Sequence, residues 1–468
     1  MFSPATYSAR RDELRRAMCA NGQKGIVLLL GNAEAPRNYK DNAYAMRQDS
    51  TFLYYFGLTR HDLAAVIDLD AATDHLFGDD YTVDDIIWME PQPLVAQQGA
   101  TAGCSLSGAM ADLARTVSAA VKAGRIVHIL PPYRADNLLL AANLLAVNTD
   151  EVRSFVSQKL IEAVVGQREI KSDEELAQIQ DACHIGYLMH TRAMSMAREG
   201  ASERQIAGAI EGISLELGAG VSFHSIVSVR GETLHNHSHN GVLKTGELLL
   251  VDAGAENVMN YCSDYTRVSP VGGKFSQRQK EIYEIVLHAN QKAKQLARAG
   301  VTYQSVHLDV AYLMAEEFKA LGLLRGDIHD AVLAGAPALF MPHGLGHQMG
   351  LDVHDMEDLG ENFVGYNRLV ARSTVPGVAS LRMGKELREG HVITVEPGVY
   401  FVPALIEKWA AEGTCRDFIN FDLARSYYGF GGIRLEDDIV ITADGNRQMG
   451  DDHVPITVAE VEEFMRQG

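Results

Sequence analysis

The chain has 468 residues, 47% of them hydrophobic, which is enough for two or three domains with sizeable cores. Its 42 basic and 61 acidic residues leave a formal charge of −19, which repels a nucleic-acid backbone, and no lysine/arginine run marks a basic patch. The N-terminus MFSPATYSARRDELRRAM has no signal-peptide core, no stretch is apolar for the roughly 18 residues of a membrane span, and the cysteines (Cys19, Cys104, Cys183, Cys262, Cys415) lack CxxC spacing, so a reduced, cytoplasmic setting without membrane or nucleic-acid partners is expected.

In chain order, RRDELRRAM reads as a helix, KGIVLLLG as a buried strand, and STFLYYFGL and AAVIDLD as further strands. RIVHIL is another strand and NLLLAANLLAV a helix, which together predict an α/β domain over residues 1–165. The acidic run at 79–85 reads as a solvated loop or edge. From Lys171 the texture changes. Ser172 with Glu175, and Ser202 with Gln205, form capping boxes that open helices ending near Gly200 and Gly218. GELLLVDAG and SDYTRV come next as strands. The order then recurs: Ser276 with Gln279 opens a helix to Gly300, a second runs over 303–322, and HVITVEPGVYF and GGIRLEDDIVIT are strands. Helix, helix, paired strands, twice over, predicts that residues 171–468 form two pseudo-symmetric halves sharing one sheet system. The fold class is α/β (α+β).

HGLGHQMGLDVHD, residues 343–355, sets three histidines at offsets of four and seven. Gly344 and Gly346 each cost a helix about 1 kcal/mol, so the stretch is expected to be extended or looped, with different jobs for its histidines. Acids appear where each half brings its strands together. Asp252 and Asp264 sit on the arms of a hairpin whose even spacing centres on Val258 and turns both carboxylates to one side. Glu396 lies in ITVEPG, and Arg434, Glu436 and Asp438 alternate with Ile433 and Leu435. Taken singly, each acid is simply the exposed residue of an amphipathic strand. Four together call for positive charge, and Arg434 alone is too little. A pair of divalent ions fits better, and an oxygen-rich site with one imidazole favours manganese over a structural zinc. Two such ions activate a water and polarise a carbonyl.

HGLGHQMGLDVHD, VDAG…SDYTR, ITVEPGVYF and GFGGIRLEDDIVIT together resemble the M24B metallopeptidases, the prolidase and aminopeptidase P group. The resemblance covers 171–468 as a pita-bread catalytic domain. It extends more loosely to RQDSTFLYYFGL and IIWME of a creatinase-like N-terminal domain. It implies that Asp252, Asp264, His347, Glu396 and Glu436 hold two divalent ions, manganese first, with cobalt or zinc as alternatives. It makes Glu396 the proton acceptor, His354 the donor to the scissile carbonyl as it becomes an oxyanion, and His343 an aid to proton transfer or substrate binding. Arg434 would orient the carboxylates, His235 would touch substrate, and the glycines would let the backbone pass close to the metals. His237 and His239 match nothing and read as solvated loop histidines. Asp252 and Asp264 stand one residue further apart than in the family, which implies a longer hairpin tip.

SLRMGKELREGHVITVEPGVYF and the insertion before YYGFGGIR are similar to prolidase. There an arginine at the place of Arg382 holds the free carboxylate of a dipeptide; the alternative is a surface arginine. Trp88 resembles a tryptophan that prolidases lend to the partner subunit's cleft; the alternative is a core tryptophan. The resemblance thus implies a dinuclear-metal Xaa-Pro dipeptidase acting on small peptides as a homodimer or higher homo-oligomer. Aminopeptidase P is the alternative. A metal-free binding module or an amidinohydrolase of the same fold is disfavoured by the intact ligand set.

Overall fold

In the computed structural model, which describes residues 1–467, the N-terminal helix α1 (Pro4–Ala20) starts where Ser3 accepts the Thr6 amide and Pro4 fills the first turn. It opens the first of two units, Met1–Arg168 with Asp358–Phe363. The unit continues through β1 (Ile26–Leu30), α2 (Ser50–Phe56), β2 (Ala64–Asp68), β3 (Thr73–Phe77), α3 (Val83–Trp88), α4 (Val95–Thr101), β4 (Leu106–Gly108), α5 (Met110–Lys122), β5 (Val127–His128), α6 (Ala135–Leu145) and α7 (Gln158–Arg168). The strands form one mixed sheet in the order β4-β3-β2-β1-β5, and its core includes Leu28, Val66, Leu113 and Val117.

Three expectations change here. STFLYYFGL is the helix α2, not a strand: Asp49 caps it through the Phe52 amide and Gly57, at φ 67°, closes it. An all-buried apolar run has no telling period, so its caps decide. Of RIVHIL only Val127 and His128 pair with β1. A Thr82–Asp85 capping box draws the end of the acidic run into α3.

The second unit is Glu169–Glu357 with Val364–Gly468. Its first half runs α8 (Asp173–Met196), α9 (Glu203–Leu217), β6 (Gly220–Val221), β7 (Ile226–Ser228), β8 (Leu248–Ala253), β9 (Ala255–Glu256) and β10 (Tyr265–Pro270). The second runs α10 (Gln277–Leu296), α11 (Tyr303–Ala320), α12 (Ile328–Leu333), β11 (Val392–Val395), β12 (Gly398–Tyr400), β13 (Gly432–Arg434), β14 (Asp437–Ile441) and β15 (Asn446–Gln448), among further helices. All three expected capping boxes form. The sheets β10-β8-β7 and β11-β14-β15 meet at an antiparallel bridge between Thr266 and Glu436. The two long strands expected in the second half are each broken, at Glu396–Pro397 and at Leu435–Glu436, and the pieces enter different sheets.

β8 is buried along its whole length. Leu249, Val251 and Ala253 join the core under α8 and α9, whereas Leu248 and Leu250 join the core of α10 and α11. Asp252 continues the second set by alternation and so faces the other half. The hairpin register differs from the expected one: Asp252 opposes Thr266, which centres the turn on Met259 instead of Val258. Asn257 organises the tip by accepting the amides of Met259 and Tyr261, and Asn260 takes φ 65°. Asp264 lies two residues before Thr266, so both carboxylates still share a face.

Beneath the bridge, the fully buried Arg267 donates to the carbonyls of Thr266 (3.0 Å) and Glu436 (2.8 Å) and to Asp437 (2.6 Å). Breaking one side of such a buried pair costs ~3–5 kcal/mol. Arg267→Met should therefore lower unfolding stability in urea by about that amount, and a loss under about 1 kcal/mol would show that the clamp is dispensable.

Candidate active site

The acids lie where strands end or break. Asp252 is near the end of β8, Asp264 precedes β10, Glu396 comes just after β11, and Glu436 separates β13 from β14. His347 comes from an extended segment in which Gln348 bridges Ile393 of β11. The glycines beside it are required by this packing. A Cβ on Gly346 would lie 2.1 Å from the Thr394 carbonyl oxygen, and one on Gly344 2.6 Å from the Leu381 Cα. His347 Nε2 is 3.5 Å from Asp264 and 3.8 Å from Glu396, and donor atoms of Asp264, His347 and Glu436 lie within 4.8 Å of one another. Asp252 joins through Arg434, which donates to it and to Thr266 Oγ1 (2.9 Å) and lies 3.6 Å from Glu436.

This cluster has more negative charge than Arg434 answers. Burial, then Asp252 and Glu396, hold Asp264 well above the usual carboxylate range. Burial and Asp264 do the same to Glu436, and burial and Glu436 to Glu396. Among the described residues, the buried Asp264 Oδ1 and Asp438 Oδ1 have no hydrogen-bond partner. Asp438 does accept the Asp264 amide at 2.9 Å. Burial keeps His347 neutral, and its Nδ1 meets the Gln348 carbonyl at 3.0 Å, which assigns the proton to Nδ1 and the lone pair to Nε2 beside the acids. An unmatched carboxylate oxygen, crowded acids and an imidazole of that tautomer are what divalent cations require.

The cluster lines a cavity of about 400 Å³, together with His235, His343, His354 and Arg382. Trp88 is not among its lining residues and is 85% exposed at the end of α3, which removes the core alternative. Arg382 is no plain surface arginine: its Nη1 donates to Glu357 at 2.5 Å. Glu357 also meets His354 Nδ1 at 3.1 Å, and the His354 ring stacks on His347 with centroids 3.8 Å apart. Burial and His347 lower His354 to about 4. Because a carboxylate only accepts, Nδ1 carries the proton of the neutral ring, and Nε2 donates only when the ring is charged. His343 is pushed down to about 3 by burial and Arg434, and hydrogen-bonds the Gly344 carbonyl (2.8 Å) and Tyr400 Oη (2.9 Å).

Several residues here escaped the sequence reading. Tyr400 links His343 to Arg434 Nη1 (2.8 Å), and Thr266 donates to Glu436 at 2.6 Å. Alternation carried a signal for both, since Tyr400 stands four residues after Glu396 and Thr266 two after Asp264. His237 lines the cavity, with its ring 5.3 Å from that of His224, and His239 meets the Ser225 carbonyl at 3.0 Å. His237 is exposed in its loop, as expected, whereas His239 is half-buried. Glu357 had no local signal.

Comparison with known proteins agrees with this geometry. Residues 177–443 match the model of metallopeptidase family M24, and residues 7–128 that of the aminopeptidase P N-terminal domain. A human Xaa-Pro dipeptidase is 30% identical over 94% of this chain and 88% of its own length. A probable Xaa-Pro aminopeptidase of Coccidioides posadasii is 30% identical over 99% and 97%. The structure of Escherichia coli aminopeptidase P with the inhibitor Pro-Leu superposes with a TM-score of 0.81 at 27% identity, covering 100% of this chain and 99% of that one. Equal identity to a dipeptidase and an aminopeptidase leaves substrate length to the site itself.

Metal binding should follow the sign of the carboxylate shifts. Raised acids keep their protons further up the pH scale, and those protons compete with a cation. Adding manganese to metal-free protein should raise Tm more at pH 8 than at pH 6. A shift of the same size at both values in a thermal melt, or none, would contradict this competition.

Proposed function

The chain belongs to metallopeptidase family M24, and from that premise we propose that it hydrolyses the peptide bond before proline in Xaa-Pro peptides, with two divalent metal ions, manganese first, held by Asp252, Asp264, His347, Glu396 and Glu436. The observation that carries this reading is the convergence of those donors on one cavity with a buried carboxylate oxygen unanswered. When bound, the ions supply an acidified water and polarise the scissile carbonyl. The rest falls to the chain. Glu396, the most open of the acids beside His347, accepts the proton of the attacking water. His354 lines the cleft where the oxyanion develops and donates to it as the ring takes up a proton, which Glu357 favours and burial opposes. Arg434 fixes Asp252, and Tyr400 holds His343 at the cleft wall beside His235.

Two substrate lengths fit. A dipeptide would offer its free carboxylate to Arg382. A longer peptide would lose its N-terminal residue, and the Glu357 carboxylate already bonded to Arg382 favours that second reading. The exposed Val83, Ile87 and Trp88 on α3 support a homodimer in which Trp88 serves the partner's cleft. Trp88→Glu should then yield monomers by light scattering, and an unaltered dimer would exclude α3 from the interface. Five free cysteines accord with a cytoplasmic protein, and among the described residues no helix is long and apolar enough to cross a membrane.

Chelation should abolish Xaa-Pro cleavage, and manganese or cobalt should restore it. His347→Ala should lose metal by elemental analysis, whereas His354→Ala should retain it while kcat falls by about 10²–10³. Full activity without metal, or equal metal loss in both variants, would overturn the assignment.

A further inference from the structure

We infer that Glu357 sets the selectivity of the cleft beyond the proline ring: as a built-in carboxylate on Arg382, it admits peptides that continue past the proline and disfavours a free proline carboxylate. This rests on the Xaa-Pro reading of the same site. Both oxygens of Glu357 are engaged, Oε2 with Arg382 Nη1 at 2.5 Å and Oε1 with His354 Nδ1 at 3.1 Å. Its side chain is 17% exposed, against 38% for Arg382, so the acid is clamped behind the arginine at the cleft wall. A substrate carboxylate approaching that guanidinium meets a like charge within a few ångströms, in a cleft already rich in acids. Drawing Arg382 towards it also loosens the carboxylate that orients His354, so the penalty reaches turnover as well as binding. A peptide bond after proline is neutral. It accepts from the guanidinium while the Glu357–Arg382 pair stays intact.

Three substrates separate charge from length: Ala-Pro, Ala-Pro-amide and Ala-Pro-Ala. Each is assayed for kcat/KM with the manganese-loaded wild type, Glu357→Gln, Arg382→Met and the double variant. Glutamine keeps an oxygen for His354 and removes the charge. The wild type should cleave the amide and the tripeptide at least as well as Ala-Pro, and Glu357→Gln should raise the Ala-Pro to Ala-Pro-amide ratio by about tenfold or more. With Arg382→Met in place, the same glutamine change should move that ratio by less than about threefold, because the two residues act as one unit. Should the glutamine variant fail to fold, Glu357→Ala carries the same ratio test, since loss of His354 orientation affects both substrates alike. A ratio unmoved in the folded variant, or a wild type that prefers Ala-Pro over its amide by about thirtyfold, overturns the role of Glu357 while leaving the peptidase reading intact. Cleavage of none of the three by the loaded wild type overturns both.

Discussion

The constraint behind the second unit is the confinement of like charge. Asp252, Asp264, Glu436 and Asp438 are buried and Glu396 half-buried in one region, where the guanidinium of Arg434 meets Asp252 and lies 3.6 Å from Glu436. Two unit charges 4 Å apart interact by about 4 kcal/mol at an effective dielectric of 20, so such a cluster would spread apart unless the backbone held it. The hold comes from main-chain and ionic clamps: the Thr266–Glu436 bridge, the Asp264 amide on Asp438, and Arg267 beneath both strands. Asp437, next to Glu436, points the other way to Arg267 and Lys294, which overcome its burial and hold its carboxyl low. Adjacent acids thus have opposite protonation tendencies because their neighbours differ. The stability given up at the cluster is what a cation would return on binding.

The histidine segment is held with equal stiffness. Gly344 and Gly346 let it lie against Leu381 and Thr394, which fixes His347. Its far end is pinned by Asp355, which pairs with Lys171 at 3.0 Å, both side chains 1% exposed, while its amide bonds the Gln348 carbonyl. This closes the loop so that His354 stacks on His347. A buried pair of this kind contributes little net stability; its value lies in the geometry it specifies. Glu357 extends the same logic to the cleft wall by tying His354 to Arg382, so the group that would face the oxyanion and the group that would meet the substrate's far end share one carboxylate.

Much of this was written locally. Alternation along strands put Arg434, Glu436 and Asp438 on one face, serine–glutamate and serine–glutamine pairs marked three helix starts, and two glycines in three residues excluded a helical histidine pair. What local pattern could not give was register and partnership. The one-residue displacement of the hairpin centre depends on how Asn257 and Asn260 shape the tip, and the breaks at Glu396 and Glu436 arise because each flanking piece finds a different sheet. The misread α2 has the same origin, since a run buried on every side shows no period.

By itself, then, the sequence determined which acids and histidines gather at one site, because strand alternation, caps and glycine-demanding turns are set by short-range geometry that spacing records. The tertiary structure alone decided that Glu357 sits between His354 and Arg382, that Tyr400 joins His343 to Arg434, and that His237 reaches the cleft beside His224. Apart from the contact between His354 and Glu357, three residues apart, these contacts join separate segments of the chain, set by how two strand systems and a loop close on one another. No spacing within a single segment encodes that closure.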